Sequence, residues 1–329
     1  MKTNHRYNLL KSPVKKRAYS QILDAIKSFD TQVTLSLVNP KEAMKLYFDV
    51  YFDYPELFYA SPQLGYGGAL FNSMLQLKYI YSNSEIIRRQ NIINRCLSEI
   101  TRLVSGVFDD FKKANIIIEY IARKTSYAIN NEYNQNASAV FCDNVAQCTG
   151  YAKALQLALE HVNIPAILVQ GEGNGEKHAW NIIGINGKYY HVDVTFLDGI
   201  NNNSNDLRIK QYLFYTDDMM RKNHKWKKEE YPVCDDASLV NKLNINNNQI
   251  DNSMKVFNNL NDLRLSIIDT LNKRIPILEF DMQLSNFTDK EKDRYVQNTI
   301  QKAVNSCNVA VGVSCAKGSY YQIKFEYLE

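Results

Sequence analysis

Residues 148–195 read CTGYAKALQLALEHVNIPAILVQGEGNGEKHAWNIIGINGKYYHVDVT, and this segment determines the architecture of the protein. Its central feature is a hairpin, in which Asn186-Gly187 separates the apolar run Ile182–Ile185 from Lys188–His191. Asn-Gly is typical of a two-residue type I′ turn, because both turn residues need a positive φ. The turn sets the register of the two strands, so the residues that flank it are expected to face each other.

That register brings an imidazole and a carboxylate to one face of the hairpin. Counting back from the turn, Trp180 faces Asp193 and His178 faces Thr195. Because side chains alternate between faces with a period of two, His178 and Asp193 are diagonal neighbours, about 7–8 Å apart at the backbone. The carboxylate is then within reach of one ring nitrogen of His178 and leaves the other free. A slip of one residue would place the pair on opposite faces.

A thiol lies at the start of the helix that precedes this hairpin. The run Tyr151–Leu159 is apolar almost all round, which predicts a buried helix, and Asn163-Ile164-Pro165 ends it. Thr149-Gly150 marks its beginning, so Cys148 lies at a helix N-terminus. Unpaired N–H groups and the helix dipole favour an anion there, which lowers the pKa of a thiol. Thiolate, imidazole and orienting carboxylate are the components of triad-type acyl transfer.

These residues resemble the signature of the transglutaminase-like superfamily, a branch of the papain-like cysteine enzymes. The resemblance runs from about Ile116 to Asp198 and rests on three motifs in order: Cys148-Thr149-Gly150-Tyr151-Ala152, His178-Ala179-Trp180-Asn181 and His191-Val192-Asp193-Val194-Thr195. It implies an α+β core in which a buried helix carrying the Cys packs on an antiparallel sheet. It also implies that Cys148 is the nucleophile, His178 the general base and acid, and Asp193 the orienting group.

Several neighbouring residues are candidates for lesser roles. Trp180 is interpreted as core or pocket wall, and His191 as a supporting or structural residue on a strand rich in Tyr and Val. Gln147 and Asn144 are candidate oxyanion donors, a role for which the backbone amide of Cys148 is the surest candidate. Many relatives carry a glycine-bearing turn shortly before the Cys, which this chain lacks, so substrate access is expected to differ.

The site is expected to need neither a metal nor a cofactor. The sequence contains six cysteines without a CxxC pair or a dense framework, which argues against a zinc site and a disulfide scaffold: Cys96, Cys142, Cys148, Cys234, Cys307 and Cys315. A metal-dependent alternative would use His178, His191 and Asp193, which share one face of the hairpin. That alternative leaves Cys148 without a role.

Composition excludes several classes of protein. The 329 residues carry a net charge of +4, too small to argue for nucleic acid, and are 45% hydrophobic, as in an ordinary globular protein. No run of about 18 apolar residues occurs, so no membrane span is expected. Residues 1–20 are basic but lack the apolar core of a secretory signal. The cysteine usage fits a reducing compartment, so we predict a cytoplasmic location, with export lacking a recognisable signal as the alternative.

Three parts are predicted along the chain. These are an N-terminal α+β module (1–83), a transglutaminase-like catalytic domain (84–235) and a C-terminal α+β module (255–329). Both outer modules have the order helix–strand–helix–strand–strand, which suggests similar folds or the chance recurrence of a common order. In the first, Leu57–Ala60 and Met74–Tyr81 are predicted strands around a turn at Gly65–Gly68.

Three polar segments are predicted to lie between the modules or on their surface. The tract Asn244–Asn248 is predicted to be a linker, and Asn201–Asn205 a surface loop. The basic run Arg221–Lys228 surrounds Trp226 and is followed by two glutamates, so it is interpreted as a solvated helix face or loop.

The predicted function is cysteine-dependent acyl transfer on an amide of a protein or peptide, through a thioester at Cys148. Water as the acceptor makes the protein a protease or amidase, whereas a lysine amine makes it a cross-linking transglutaminase. Hydrolysis is favoured because the sequence lacks an acidic cluster like the calcium sites of animal cross-linking enzymes. The alternative is a protein-binding or scaffold module that keeps the triad without using it. The sequence indicates no oligomeric state.

Overall fold

The computed structural model describes residues 3–128, 132–197, 212–249, 255–257, 259–272, 277–282, 288–307, 311–317 and 321–327. The chain divides into two compact units, Met1–Val240 and Asn241–Glu329. Both contain helices and sheet, so the predicted α+β class is confirmed. The finer division of the first unit at residue 83 stays a prediction. Within the described ranges, no helix is both long enough and apolar enough to cross a membrane.

The first unit begins with a small α+β segment. Its helices are α1 (His5–Leu9), α2 (Pro13–Lys27) and α3 (Pro40–Asp53), and its strands are β1 (Gln32–Ser36), β2 (Gly65–Ala69) and β3 (Asn72–Gln76). Two of the helices start with a proline behind a capping side chain, since Ser12 accepts from the Lys15 amide and Asn39 from the Glu42 amide. The three strands form an antiparallel sheet in the order β1-β3-β2.

The predicted hairpin in this segment is wrong in its position. Gly65–Ala69 forms strand β2 instead of a turn, and Leu57–Ala60 is irregular apart from one bridge between Ala60 and Tyr79. Ala69 pairs with Asn72, so the turn consists of the two residues between them. A run of glycines usually indicates a turn, but here Gly68 lies within the strand with φ +130°, a conformation that residues other than glycine rarely adopt.

Two helices and a short strand pair lead to the central helix and sheet of the first unit. They are α4 (Asn83–Leu103), α5 (Asp110–Lys124), β4 (Ser126–Tyr127) and β5 (Val145–Ala146). The helices are capped by Ser82 and Asp109, whose side chains accept backbone N–H groups of the first turn. Strand β4 pairs with β5 in parallel, which brings the chain back to the start of the next helix.

The core consists of one buried helix on a five-stranded antiparallel sheet. The helix is α6 (Cys148–His161), and the strands are β6 (Ala166–Gly173), β7 (Glu176–Ile185), β8 (Lys188–Val192), β9 (Leu213–Tyr215) and β10 (His224–Trp226), with a short helix α7 (Asp217–Met220) between the last two. The sheet order is β10-β6-β7-β8-β9. Helix α6 packs on β6 and β7 and is buried on nearly every side, which confirms the sequence prediction.

The hairpin turn and its register also agree with the sequence. Asn186 has φ +52° and Gly187 φ +76°, as a type I′ turn requires. Ile185 pairs with Lys188, and the ladder continues in the same register to Asn181 opposite Val192. His178 and Asp193 lie just beyond the end of this ladder, on the face that the register predicted.

The second unit is an α+β module with its own core. Helix α8 (Ser238–Gln249) crosses from the first unit into it, so the tract predicted as a linker has a helical backbone. The elements that follow are β11 (Lys255–Phe257), α9 (Leu260–Asn272), β12 (Ile277–Met282), α10 (Asp289–Asn305), β13 (Val311–Lys317) and β14 (Tyr321–Tyr327). The predicted capping box at the start of α10 is present between Thr288 and Glu291.

The two outer segments share one strand topology. In the first, β1 pairs with β3, and β3 pairs with β2, all antiparallel. In the second, β12 pairs with β14, and β14 pairs with β13, again antiparallel, while β11 adds a fourth strand that pairs in parallel with β12. The helix–strand–helix–strand–strand order therefore folds into the same connectivity twice, which favours the hypothesis of two similar modules over a chance likeness.

Candidate active site

Cys148 is the first residue of α6 and lies half-buried at the bottom of a cleft. Burial raises the pKa of its thiol. A hydrogen bond with His178 and the charge of that ring oppose this effect, together with hydrogen bonds from the Ala179 amide and the Thr149 hydroxyl. These interactions prevail, so the pKa of Cys148 lies below its ordinary value. The helix N-terminus adds unpaired N–H groups that also favour the thiolate.

His178 connects this thiol to a buried carboxylate. Its Nε2 lies 2.6 Å from Oδ2 of Asp193, which leaves Nδ1 for Cys148. Burial lowers the pKa of His178, but the hydrogen bonds and charges of Asp193 and Cys148 raise it to about 10. The ring is therefore an imidazolium at neutral pH, paired with an anion on each side.

Asp193 is completely buried and accepts several hydrogen bonds. The Thr195 amide donates to Oδ1 over 3.0 Å, while Oδ2 receives both His178 and, at 3.2 Å, Nε2 of His224. Burial raises the pKa of this carboxyl group, and the two histidines lower it by more, so its pKa lies below the ordinary value. The three residues predicted from sequence are thus brought together in one connected arrangement.

The family model for the transglutaminase-like superfamily matches residues 99–194. This segment contains Cys148, His178 and Asp193 in the order described. Residues 99–194 therefore form a transglutaminase-like core within the chain.

Two solved structures are similar to parts of the chain. One is a TGase, with 15% sequence identity over 44% of this chain and 47% of the other, at a TM-score of 0.32. The second is the periplasmic domain of TgpA from Pseudomonas aeruginosa bound to ethylmercury, with 18% identity over 43% and 59% of the two chains and a TM-score of 0.28. The match thus spans about half the length of each of these structures. No curated protein matches the sequence.

A cleft of about 1090 Å³ opens above the thiol of the transglutaminase-like core. Helix α3 lines one side of the cleft with the apolar Met44, Phe48 and Phe52 and with the charged Lys45 and Asp49. Strands β6, β7 and β10 and the segment after them contribute a wall of mixed charge with aromatic groups: Gln170, Gly171, Glu172, Lys177, His178, Ala179, Lys225, Trp226, Lys227, Glu230 and Tyr231. The N-terminal segment therefore forms one side of the candidate site.

Sequence reasoning missed His224, which is completely buried in contact with Asp193. The prediction of a solvated helix face or loop for Arg221–Lys228 is wrong for residues 224–226, which form edge strand β10, paired with β6. The flanking Arg221, Lys222, Lys227 and Lys228 are exposed outside that strand. Buried His224, exposed Lys225 and half-buried Trp226 follow the alternation of a strand. That alternation was the available signal, but three residues are too few to distinguish it from chance among so many lysines.

His191 lies beside the triad without joining it. The indole Nε1 of Trp180 donates to His191 Nδ1 over 2.9 Å, and His191 Nε2 lies 3.0 Å from Oδ1 of Asp217. Since Nδ1 accepts a hydrogen bond, Nε2 carries the proton and has no lone pair for a metal. This position fits the supporting or structural role predicted for His191, which stays a prediction.

The predicted metal trio of His178, His191 and Asp193 is not brought together. Among the described residues, the groups with donor atoms close enough to share a cation are two others: His178 with Asp193 and His224, and His191 with Asp217 and Cys234. In both groups the histidines are already hydrogen-bonded to the carboxylate beside them.

The two candidate oxyanion donors differ in position. Gln147 lines the cleft directly before Cys148, and Gln135 donates from Nε2 to its Oε1 over 3.2 Å. Asn144 is not among the described residues that line the cleft. It adopts the left-handed conformation with φ +58°, and its carbonyl accepts from the Ser126 amide in the approach to β5. Position therefore favours Gln147 over Asn144.

Gly173 supports the ring of His178, and we expect Gly173→Ala to displace it. A Cβ at Gly173 would lie 2.8 Å from Cδ2 of His178, too close for the ring to stay in place. A misplacement of about 1 Å at a reacting group can cost about 10²-fold in rate, so the alkylation of Cys148 should slow by that order. Gly67→Ala is the control, because its Cβ would meet nothing within 4 Å. Equal rates in the two variants would contradict the role of Gly173.

Proposed function

We propose that this chain is a cysteine-dependent acyl-transfer enzyme that acts on an amide of a protein or peptide. The observation that carries the proposal is the continuous hydrogen-bonded connection from Cys148 through His178 to Asp193 at the floor of a cleft. A thiolate beside an imidazolium is the activated nucleophile of such reactions, and a buried carboxylate holds the ring in its orientation.

The first half of the reaction forms a thioester. The Cys148 thiolate attacks the carbonyl carbon of the amide, and the electron pair of the C=O bond moves to the oxygen. His178 then gives its Nδ1 proton to the amide nitrogen while the C–N bond breaks, so an amine leaves and the acyl group stays on sulfur. Asp193 keeps Nε2 of the ring hydrogen-bonded throughout, which holds Nδ1 towards the sulfur.

The developing oxyanion needs donors close to Cys148. The backbone N–H of a residue at the start of a helix has no acceptor within the helix, so the Cys148 amide is suited to this role. The side chain of Gln147, which lines the same cleft, is the second donor that we propose.

The second half of the reaction returns the free enzyme. Neutral His178 takes a proton from water, the hydroxide oxygen attacks the thioester, and the Cys148 thiolate leaves with a carboxylic acid as the product. A primary amine in place of water would yield a new amide. We favour water, because the sequence lacks an acidic cluster of the kind that binds calcium in animal cross-linking enzymes.

The cleft suits a segment of polypeptide as substrate. Its volume of about 1090 Å³ is at the upper end of small-molecule pockets, which are typically about 300–1,000 Å³. Both walls combine charged groups of either sign with apolar or aromatic side chains, as a surface that binds main chain and mixed side chains requires. A cytoplasmic location stays a prediction.

Selective alkylation of Cys148 by iodoacetamide tests the proposal. At about pH 6 an ordinary thiol is almost fully protonated, whereas a thiol with a lowered pKa still reacts. We expect Cys148 to be labelled first, well before Cys142, whose pKa burial raises to about 11. The fast reaction should persist as the pH rises, until His178 loses its proton near its pKa of about 10 and the ion pair is lost.

Peptide mapping by mass spectrometry identifies which thiol has reacted. Uniform slow labelling of all six cysteines would contradict the enzyme and favour a scaffold module that keeps an unused triad. Incubation of a peptide mixture with and without a lysine-like amine then separates the reactions. Cleavage without added amine supports hydrolysis, whereas incorporation of the amine supports cross-linking.

A further inference from the structure

A second imidazole, that of His224, lies within hydrogen-bond distance of the Asp193 oxygen that His178 also contacts. His224 lies on β10 with no exposed surface, and its Nε2 is 3.2 Å from Oδ2 of Asp193. Its other nitrogen, Nδ1, lies 2.8 Å from Oδ1 of Asn223. Both ring nitrogens of His224 therefore meet an oxygen.

The orientation of Asn223 makes its oxygen an acceptor for this ring. The Nδ2 group of Asn223 donates to the Tyr212 hydroxyl over 2.6 Å and to Oδ1 of Asn174 over 3.2 Å. Because the amide nitrogen is used on that side, the amide oxygen faces His224. An imidazole between two acceptors satisfies both only when each of its nitrogens carries a hydrogen.

The carboxylate that His224 contacts lies in a cluster of buried charge. The site contains two anions, the Cys148 thiolate and the Asp193 carboxylate, and the hydrogen bonds that lower the pKa of Asp193 come from His178 and His224. The imidazolium of His178 lies between the two anions, and the ring of His224 contacts the carboxylate from strand β10. A buried charge is tolerated when it is paired and hydrogen-bonded in this way.

The ring of His224 is also held tightly by aromatic neighbours. Its centroid lies 4.9 Å from that of Trp180, 5.3 Å from Tyr212 and 5.8 Å from Phe196. Rings on three sides restrict its movement, so Nε2 stays at Oδ2 of Asp193. A donor that cannot move is suited to hold a carboxylate in one orientation.

We propose that His224 is a positioning residue for the Cys148 site: its Nε2–H donates to Asp193 and holds the oxygen that orients His178. This inference rests on the proposed function. The Thr195 amide holds Oδ1, and His224 approaches Oδ2 from strand β10, so the carboxylate is fixed at both oxygens. Without His224, the carboxylate can rotate about its Cβ–Cγ bond and weaken the hydrogen bond that orients His178.

The experiment measures the iodoacetamide rate at Cys148 in variants that keep the packing. His224→Phe fills the same space without a donor, whereas His224→Gln keeps an N–H close to the position of Nε2. His191→Phe is the matched control, because His191 is an equally buried ring of the same sheet that is hydrogen-bonded to Asp217 instead of Asp193. The ionisable side chains around His224 are Cys148, His178, His191, Asp193 and Tyr212. The His224 variants keep all of them, whereas the control variant lacks His191.

We expect His224→Phe to slow alkylation about tenfold at about pH 6, the effect of one pK unit on the thiolate fraction. At about pH 10, where an unassisted thiol is ionised as well, the rate should match that of the unmodified protein. His224→Gln should restore most of the rate, and His191→Phe should leave the ratio of the two rates unchanged. A structural defect would instead slow the reaction at both pH values.

Several results would overturn the inference. They are an unchanged rate in His224→Phe at about pH 6, equal effects of His224→Phe and His191→Phe, or no rescue by His224→Gln. Should His224→Phe fail to fold, Asn223→Ala removes the acceptor at Nδ1 together with the hydrogen bonds of Asn223 to Tyr212 and Asn174. An unchanged alkylation rate in this variant at about pH 6 would also overturn the inference. If Cys148 of the unmodified protein is not labelled selectively, the proposed function itself is wrong. If Cys148 is labelled selectively but the rate does not change in His224→Phe, only the role of His224 is wrong.

Discussion

Cys148→Ala should abolish turnover and leave the fold intact. Removing the nucleophile of a triad costs on the order of 10⁴-fold or more in kcat, because no other group forms the covalent intermediate. The side chain is half-buried at the first residue of α6, and alanine there keeps the helix start. The measurement is turnover of a peptide mixture, with thermal unfolding as the test of the fold.

Cys142→Ala is the matched control for this experiment. Cys142 lies six residues earlier, is also half-buried, and its Sγ approaches the Arg89 carbonyl at 3.8 Å. Because burial raises the pKa of its thiol to about 11, it holds almost no thiolate at neutral pH and should be inert. Turnover that survives in Cys148→Ala, or is lost in Cys142→Ala, would overturn the assignment of the nucleophile.

Asp193→Asn should reduce both stability and activity. The carboxylate accepts at both oxygens, from the Thr195 amide on one side and from His178 and His224 on the other. An amide has only one acceptor oxygen, so its NH₂ group must face either the N–H of Thr195 or the two imidazoles. Leaving buried donors without an acceptor costs about 2–4 kcal/mol of unfolding free energy. Turnover should fall by about 10²–10⁴-fold, less than for Cys148→Ala, because the carboxylate only orients the base.

The stability deficit of Asp193→Asn should depend on pH. A carboxyl group whose pKa is lowered on folding adds stability above its unfolded pKa of about 4 and loses that contribution as the pH falls through the folded value. The variant lacks this contribution at every pH. Urea unfolding should therefore show a large difference near pH 7 that shrinks below about pH 4.

Asp217→Asn is the control that separates orientation from burial. Asp217 is also buried beside an imidazole, since it binds His191 over 3.0 Å, and it forms an ion pair with Lys228 at 2.9 Å. It should lose stability while turnover stays nearly unchanged, because it does not touch the triad. Equal losses of turnover in the two variants would show that Asp193 acts only through the fold.

Local chemistry in the sequence was sufficient for the centre of the fold. Asn186-Gly187 has only one favourable two-residue turn, and that turn sets every pairing of β7 with β8. The apolar sequence of α6 requires burial, and its position before the hairpin places Cys148 at the helix start. These features depend on residues close together in the chain, so the arrangement of Cys148, His178 and Asp193 was predictable.

Contacts between distant segments were not predictable in this way. His224 reaches Asp193 because β10 pairs with β6, a strand some fifty residues earlier, and no local pattern specifies that pairing. The wall formed by α3 likewise depends on how the N-terminal segment packs on the core, about a hundred residues from Cys148. The glycine-rich segment 65–68 locally favours a turn, but pairing with β3 makes it part of strand β2. Turn geometry and helix burial follow from neighbouring residues, whereas the second donor to Asp193 and the shape of the cleft arise only when remote strands and helices meet.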